Sequence, residues 1–223
     1  MIITIDGPAG TGKSTMARQL AKALGFQFLD TGALYRAIAW LSLQCHTDMT
    51  SAQALAVLAE HAKIHLEDDQ IYIDGTNITE KIRSAEVTRQ ASLVAVIPQV
   101  REKLNQLQRR VAAEGNIVTE GRDQGTVVFP QAECKFYITA DKAVRAARRQ
   151  HDLEQQGQKI GYNAVLADIE ERDHRDETRA AAPLKPAEDA IIIDTSTLTK
   201  KQVLQKLMSC ANEIIDRTEQ ASQ

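Results

Sequence analysis

Cysteine is scarce in this chain. Its three copies, Cys45, Cys134 and Cys210, stand far apart, with no C-x-x-C pair and no companion histidine spacing. That excludes a zinc or redox motif and leaves buried, inert thiols of a reducing compartment as the expectation. A basic excess is missing too. The formal net charge is −3, so the surface as a whole is not built to attract nucleic acid, and no nucleic-acid partner is expected. No apolar run approaches the ~20 residues of a membrane span, which argues against a membrane partner. Functional-looking sequence begins at residue 2, so no signal peptide is expected and the cytoplasm is the expected location. Internal repeats and low-complexity tracts are absent. So are the N-K-x-D base reader of a switch GTPase and the apolar run ending in Asp-Glu of a motor or translocase.

What is present is ordinary globular material: 223 residues, 43% hydrophobic and 26% charged. The length suits one large domain or a domain with an inserted subdomain. The first thirty residues read as strand, Gly-rich loop, helix and strand, with Met16, Leu20 and Leu24 at helical spacing and Gly25 as a stop. Residues 33–46 continue as a helix. The next helix begins at "TSAQ", where Thr50 and Gln53 have capping-box spacing. The texture then changes. Ile64, Leu66, Ile71 and Ile73 alternate around Asp68-Asp69 and Asp74-Gly75, which is a hairpin signal. Residues 60–95 therefore read as an inserted subdomain. A basic helix over 99–113, strands "NIVTEG" and "CKFYITA", and charged helices over 141–156 and 162–180 follow. Gly157 and Gly161 bracket a joint between those helices, in an expected lid over 150–165. "AIIID" reads as a fully apolar strand, and a last helix starts at Thr199 with Gln202 completing a capping box. Strands alternating with helices predict an α/β fold with a doubly wound parallel sheet.

The stretch "GPAGTGKS" fits G-x-x-x-x-G-K-[ST] and sits between a strand and a helix, where such a loop cradles polyphosphate. Gly7, Gly10 and Gly12 let successive N–H groups turn inward, and the helix behind adds its positive end. Lys13 is placed to reach the β and γ phosphates, and Ser14 to offer its hydroxyl to Mg2+. The other reading is a Gly-rich turn with an ordinary surface lysine. Beyond the loop, arginines recur. Arg36 stands in "DTGALYRA". Arg122 and Asp123 follow a strand's carboxyl end, where α/β sheets bind ligands. On the 162–180 helix the apolar stripe of Val165 and Ile169 continues in phase as Arg172, Asp176 and Arg179. A solvated helix end, with Glu170, Glu171 and Asp173 nearby, is the competing explanation. Arg145, Arg148 and Arg149 on the preceding helix complete what looks like a lid closing arginines over phosphates. Such a wall suits phosphoryl transfer, which asks for in-line positioning and neutralised charge.

"DGPAGTGKST", "LDTGALYR", "EGRDQGTVVFP", "ERDHRDETR" and "PLKPAEDAIIIDTS" occur in that order, and together they resemble the bacterial cytidylate kinases over almost the whole chain. The resemblance implies a P-loop kinase core, a monophosphate-binding insert and a mobile helical lid. It implies transfer of the γ-phosphate of ATP to CMP or dCMP with Mg2+; a monomer is expected. The ATP-binding residues would be Gly7, Pro8, Ala9, Gly10, Thr11, Gly12, Lys13, Ser14 and Thr15. Lys13, Arg122 and Arg179 would carry catalysis. Arg36, Arg122 and Arg179 would hold the acceptor phosphate, Thr31, Arg172 and Asp176 the ribose, and Ser92, Arg101 and Asp123 the cytosine. A carboxylate at Asp123 suits the N4 amino group of cytosine and would oppose the carbonyl of uracil. Two departures stand out: Gln124, where an apolar residue is expected, and Thr31, where some members have serine.

Overall fold

Strand β1 (Ile2–Asp6) buries Ile3 and Ile5 completely because it runs through the middle of the main sheet. The computed structural model describes residues 1–67, 70–155 and 157–221; Asp68 and Asp69 of the expected hairpin, and Gln156 of the expected lid, lie outside the described residues. Five strands make the sheet in the order β2 (Gln27–Asp30), β6 (Ile117–Gly121), β1, β7 (Cys134–Thr139) and β8 (Ile191–Asp194). β1 pairs parallel with β6 and with β7, and β7 pairs parallel with β8. This is the parallel sheet that the alternation predicts. One detail differs: β8 is an edge strand, so Ile192 in the apolar run is 62% exposed while Ile193 is buried.

The chain divides into two compact units. The first comprises residues 1–28 and 115–223. Its core joins Ile3, Ile5 and Phe136 of the sheet to Met16 and Leu20 of α1 (Lys13–Leu24) and to Val203 and Leu207 of α8 (Lys200–Ala221). Burying each of the larger side chains contributes about 1.5–3 kcal/mol. α1 ends at Gly25, whose φ of 70° is open to glycine at no steric cost. α8 starts at the predicted box: Thr199 N–H donates to Gln202 Oε1 at 2.9 Å, and Gln202 N–H to Thr199 Oγ1 at 3.3 Å. A smaller cluster of Ala146, Leu153, Val165 and Ile169 binds α6 (Lys142–Gln155) to α7 (Tyr162–Thr178).

The second unit runs over residues 29–114, wider than the 60–95 insert expected. The reason is its core. Leu34 and Ile38 of α2 (Thr31–Gln44), Leu55 of α3 (Ala52–His61), Val94 of α4 (Ala85–Val94) and Leu104 of α5 (Pro98–Ala112) share one cluster with Ile71 and Ile73. Those isoleucines lie in an antiparallel sheet of β3 (Ile64–Glu67), β4 (Gln70–Ile73) and β5 (Thr76–Asn77). Asp74 and Gly75, at φ 49° and 76°, turn β4 into β5. The cap of α3 is not Thr50: Ser51 Oγ accepts from Ala54 N–H at 3.1 Å, while Thr50 binds Asp48. Cys45 is exposed, against the expectation of buried thiols, whereas burial pushes the Cys134 thiol up to about 12. Among the described residues no helix is long and apolar enough to cross a membrane.

Candidate functional site

The loop between β1 and α1 is folded by its glycines. Gly7 has φ 146°, and a Cβ there would fall 2.0 Å from the Ile138 carbonyl oxygen, so no other residue fits. Pro8, Ala9 and Thr11 are buried along the loop, while Ser14 and Thr15 at the start of α1 are exposed. The Lys13 ammonium curls back on the loop and donates to Pro8 O at 2.6 Å. Burial, reinforced by the nearby Arg122 and Arg172 charges, pushes this lysine down to about 7, with Glu120 and Asp6 pulling the other way. A polyphosphate placed here would restore its charge.

Ser14 Oγ donates to Glu120 Oε1 at 2.8 Å. Sequence reading singled out Ser14 but missed Glu120. The signal was available: Glu120 is the second-last residue of the strand "NIVTEG", and that strand pairs with β1, bringing Glu120 opposite Ile5. Among the described residues no group of three or more His, Cys, Asp or Glu gathers as a ready metal cage. A hydroxyl and one carboxylate nevertheless suit Mg2+, which keeps most of its waters and takes few protein ligands beside substrate phosphate.

Arg145 takes a different place from the one expected. It is buried, its Nη1 donates to Ala9 O at 2.9 Å and to Asp173 Oδ2 at 2.6 Å, and its Nε donates to Ala140 O at 3.0 Å. Asp173 Oδ1 also accepts from Ala9 N–H at 3.4 Å. Helices α6 and α7 thus grip the phosphate loop at Ala9 by both of its backbone groups. Arg148 donates to Thr195 O at 2.7 Å and to its Oγ1 at 3.1 Å. Arg149 is half-buried. In this conformation Arg145 and Arg148 hold the protein's own carbonyls. Asp173 is another residue sequence reading missed, having counted it with the solvated charges. That outer charge is also present, as Glu171–Arg175 and Lys142–Glu170 ion pairs.

Five of the expected acceptor residues share the first unit. Arg122 Nε meets Asp176 Oδ2 at 2.8 Å. Burial opposes both charges, yet Asp176 and Glu120 hold the Arg122 guanidinium above its usual range, and Arg122 and Arg172 hold the Asp176 carboxyl below its own. Arg179 lies one residue beyond α7 rather than inside it, with extended backbone at φ −60° and ψ 139°. There its Nη2 faces Asp123 Oδ1 at 3.5 Å and its Nε donates to Ala182 O at 2.6 Å. Gln124 is fully justified as a polar residue: buried, it accepts from Thr119 Oγ1 at 3.0 Å. Behind this segment, Asp6 Oδ1 and Oδ2 accept from the N–H groups of Gln124 and Gly125 at 2.9 and 2.8 Å.

In the second unit, the stretch "DTGALYR" is explained by local chemistry. Asp30 caps α2 by accepting from Ala33 N–H at 2.8 Å, and its other oxygen meets Arg36 Nη2 at 3.1 Å. A Cβ on Gly32 would lie 2.9 Å from Arg36 Nη1, so glycine makes room for that guanidinium. Thr31 is buried at the first position of α2. Ser92 of α4 donates to Arg89 O at 2.7 Å. Arg101 of α5 is buried, donates to Ala95 O at 3.1 Å and lies 5.7 Å above the Tyr35 ring.

Residues 3–213 match the family model described as cytidylate kinase. A cytidylate kinase from Desulfitobacterium hafniense is 42% identical over 96% of this chain and 94% of its own. One from Stutzerimonas stutzeri is 45% identical over 97% and 96%. A bifunctional pantoate ligase/cytidylate kinase from a Synechococcus strain is 46% identical over 97% of this chain, which spans only 41% of that protein. Among solved structures, a gluconokinase from Sinorhizobium meliloti is similar with a TM-score of 0.50 at 15% identity, covering 99% of this chain and 97% of its own. That likeness concerns the fold alone.

Proposed function

Since the chain belongs to the cytidylate kinase family, we propose that it phosphorylates CMP and dCMP at the expense of ATP. The observation that carries this reading is a phosphate loop with a buried lysine beside a second cluster of arginines and carboxylates in the same unit. One phosphate site needs the loop alone; a second cluster suits an acceptor that carries its own phosphate.

In this proposal residues 7–15 bind the ATP phosphates, and Lys13 turns from Pro8 O to the β and γ phosphates. Ser14 and Glu120 would hold Mg2+, which when bound neutralises the β and γ oxygens. Arg36, Arg122 and Arg179 neutralise the acceptor phosphate. Asp176 and Arg172, together with Thr31, take the ribose hydroxyls. Asp123 accepts from the cytosine amino group, with Arg101 and Ser92 serving the ring acceptors. Residues 150–165 form the lid that excludes water, which otherwise competes for the phosphoryl group. None of these residues has to act as a general base, because the loose transition state asks mainly for position and charge.

The test is ADP release from Mg-ATP with each nucleoside monophosphate in turn. CMP and dCMP should stimulate release well above UMP, AMP or GMP. Equal rates with and without CMP would rule the proposal out.

A further inference from the structure

Asp123 stands at the N-terminal end of a short wide turn, Gln124–Val128, in which Phe129 N–H donates to Gln124 O and Val128 N–H to Asp123 O. A residue in that place ordinarily caps its own turn, since its side-chain oxygen can accept one of the leading N–H groups. Asp123 makes no such bond; its carboxylate faces Arg179 instead. The leading N–H groups of Gln124 and Gly125 both go to Asp6, which reaches them from β1, more than a hundred residues away in sequence. The two segments sit hard together. A Cβ on Gly125 would meet Thr4 Oγ1 at 2.9 Å and Lys135 Cδ at 3.2 Å.

We propose that Asp6 is a positioning residue for acceptor recognition: it caps the Gln124–Val128 turn in place of Asp123 and so leaves the Asp123 carboxylate to Arg179 and the acceptor base. This rests on the CMP kinase reading above. A carboxylate is a costly way to build such a clamp. Asp6 is almost fully buried, and burial pushes it up to about 6, against the two N–H bonds. The chemistry explains why an acid is kept. Two N–H groups ask for two acceptor oxygens, and an amide of the same shape supplies one, turning its own NH2 against the second N–H. Without Asp6 both N–H groups would be buried without an acceptor, and Asp123, at the head of the turn, is placed to cap it as an N-cap residue ordinarily does. Turning Asp123 inward withdraws it from the acceptor base.

The discriminating variant is Asp6→Asn, compared with wild type in steady-state kinetics with CMP and UMP. The expected result is a CMP KM raised at least about tenfold. The ratio of kcat/KM for CMP over UMP should fall, and the ATP KM should stay within about twofold of wild type. A lower melting temperature with unchanged CMP KM and unchanged CMP/UMP ratio would make Asp6 merely structural and overturn the proposal. An equal rise in the KM of ATP and CMP would overturn it as well. Should wild type itself fail to use CMP, the functional reading falls, while hydrogen exchange on the wild-type protein still decides the clamp and does not depend on the variant folding. The Gln124 and Gly125 amides should be strongly protected in the free protein; exchange at the rate of open loop amides would sink the capping role.

Discussion

Lys13 is the residue whose charge its surroundings alter most directly. Its ammonium is buried on Pro8 O and pushed down to about 7, so at pH 8 most of it is neutral. Binding the anionic phosphates of ATP should pull the proton back. ATP titrations at pH 8 in buffers of different ionisation enthalpy should therefore report uptake of up to about one proton, and the uptake should vanish in Lys13→Met. Lys13→Ala should reduce ADP release to background with every acceptor. Arg179 argues differently. It sits where α7 has ended, with its guanidinium toward Asp123. Arg179→Ala should lower kcat/KM for CMP by about 10²–10³ while the far-UV spectrum stays native, because in the proposed reading the lost charge serves the acceptor phosphate and not the helix. In the sequence Lys13 stands out by its motif and Arg179 by its phase along an expected helix over 162–180. What could not be read was Arg179's departure from the helix, since no motif marks that end.

At the scale of elements, the α6–α7 pair is held by packing on one side and by charge on the other. Ala146, Leu153, Val165 and Ile169 form the apolar contact, and Arg145–Asp173 the polar one, both of its side chains almost fully buried. Breaking one arm of such a pair leaves the other charge buried, at a cost of about 3–5 kcal/mol. Asp173→Asn should lower the urea midpoint accordingly and also raise the ATP KM, since Asp173 accepts from Ala9 N–H and steadies Arg145 on Ala9 O. Replacing both partners, Arg145→Met with Asp173→Leu, should recover part of the stability but not the ATP KM. Stability and nucleotide affinity recovering together would mean that the grip on Ala9 is irrelevant. The sequence offers a stripe of Val165, Ile169, Arg172, Asp176 and Arg179, of which α7 buries Val165, Ile169 and Asp176, because 3.6-residue periodicity is local. The use of Asp173 was not, because its partner lies 28 residues away on another helix.

For the whole molecule, two buried groups shape stability against pH in opposite senses. Asp6 has its folded pKa raised to about 6 from 3.8, so its contribution is fully present below about 4 and is lost as pH rises through 6. Lys13 has its folded pKa lowered to about 7 from 10.5, so the unfolded chain holds more protons between those values and stability rises with pH across them. Urea midpoints measured from pH 4 to 10 should show the first slope flattened in Asp6→Asn and the second in Lys13→Met. Parallel curves for variant and wild type would contradict these assignments. The carboxyl of Asp176, held low, works against Asp6 at the acid end: its contribution is present above about 4 and is lost as pH falls further. The comparison is therefore between variants and not with an absolute optimum.

The sequence by itself determined the parallel α/β core, the phosphate loop, the capping box at Thr199 and the order of the arginine motifs. Each is written in residues close to one another, where periodicity, turn chemistry and capping act over a few positions. Tertiary structure alone decided that residues 29–114 share one core, that Ile192 faces outward at a sheet edge, and that Glu120 meets Ser14. It also decided that Arg145 and Asp173 hold Ala9, and that Asp6 caps a turn begun by Asp123. These depend on which strands and helices come to lie side by side, and on buried N–H, carbonyl and charged groups finding partners far away in the chain, which no local pattern encodes.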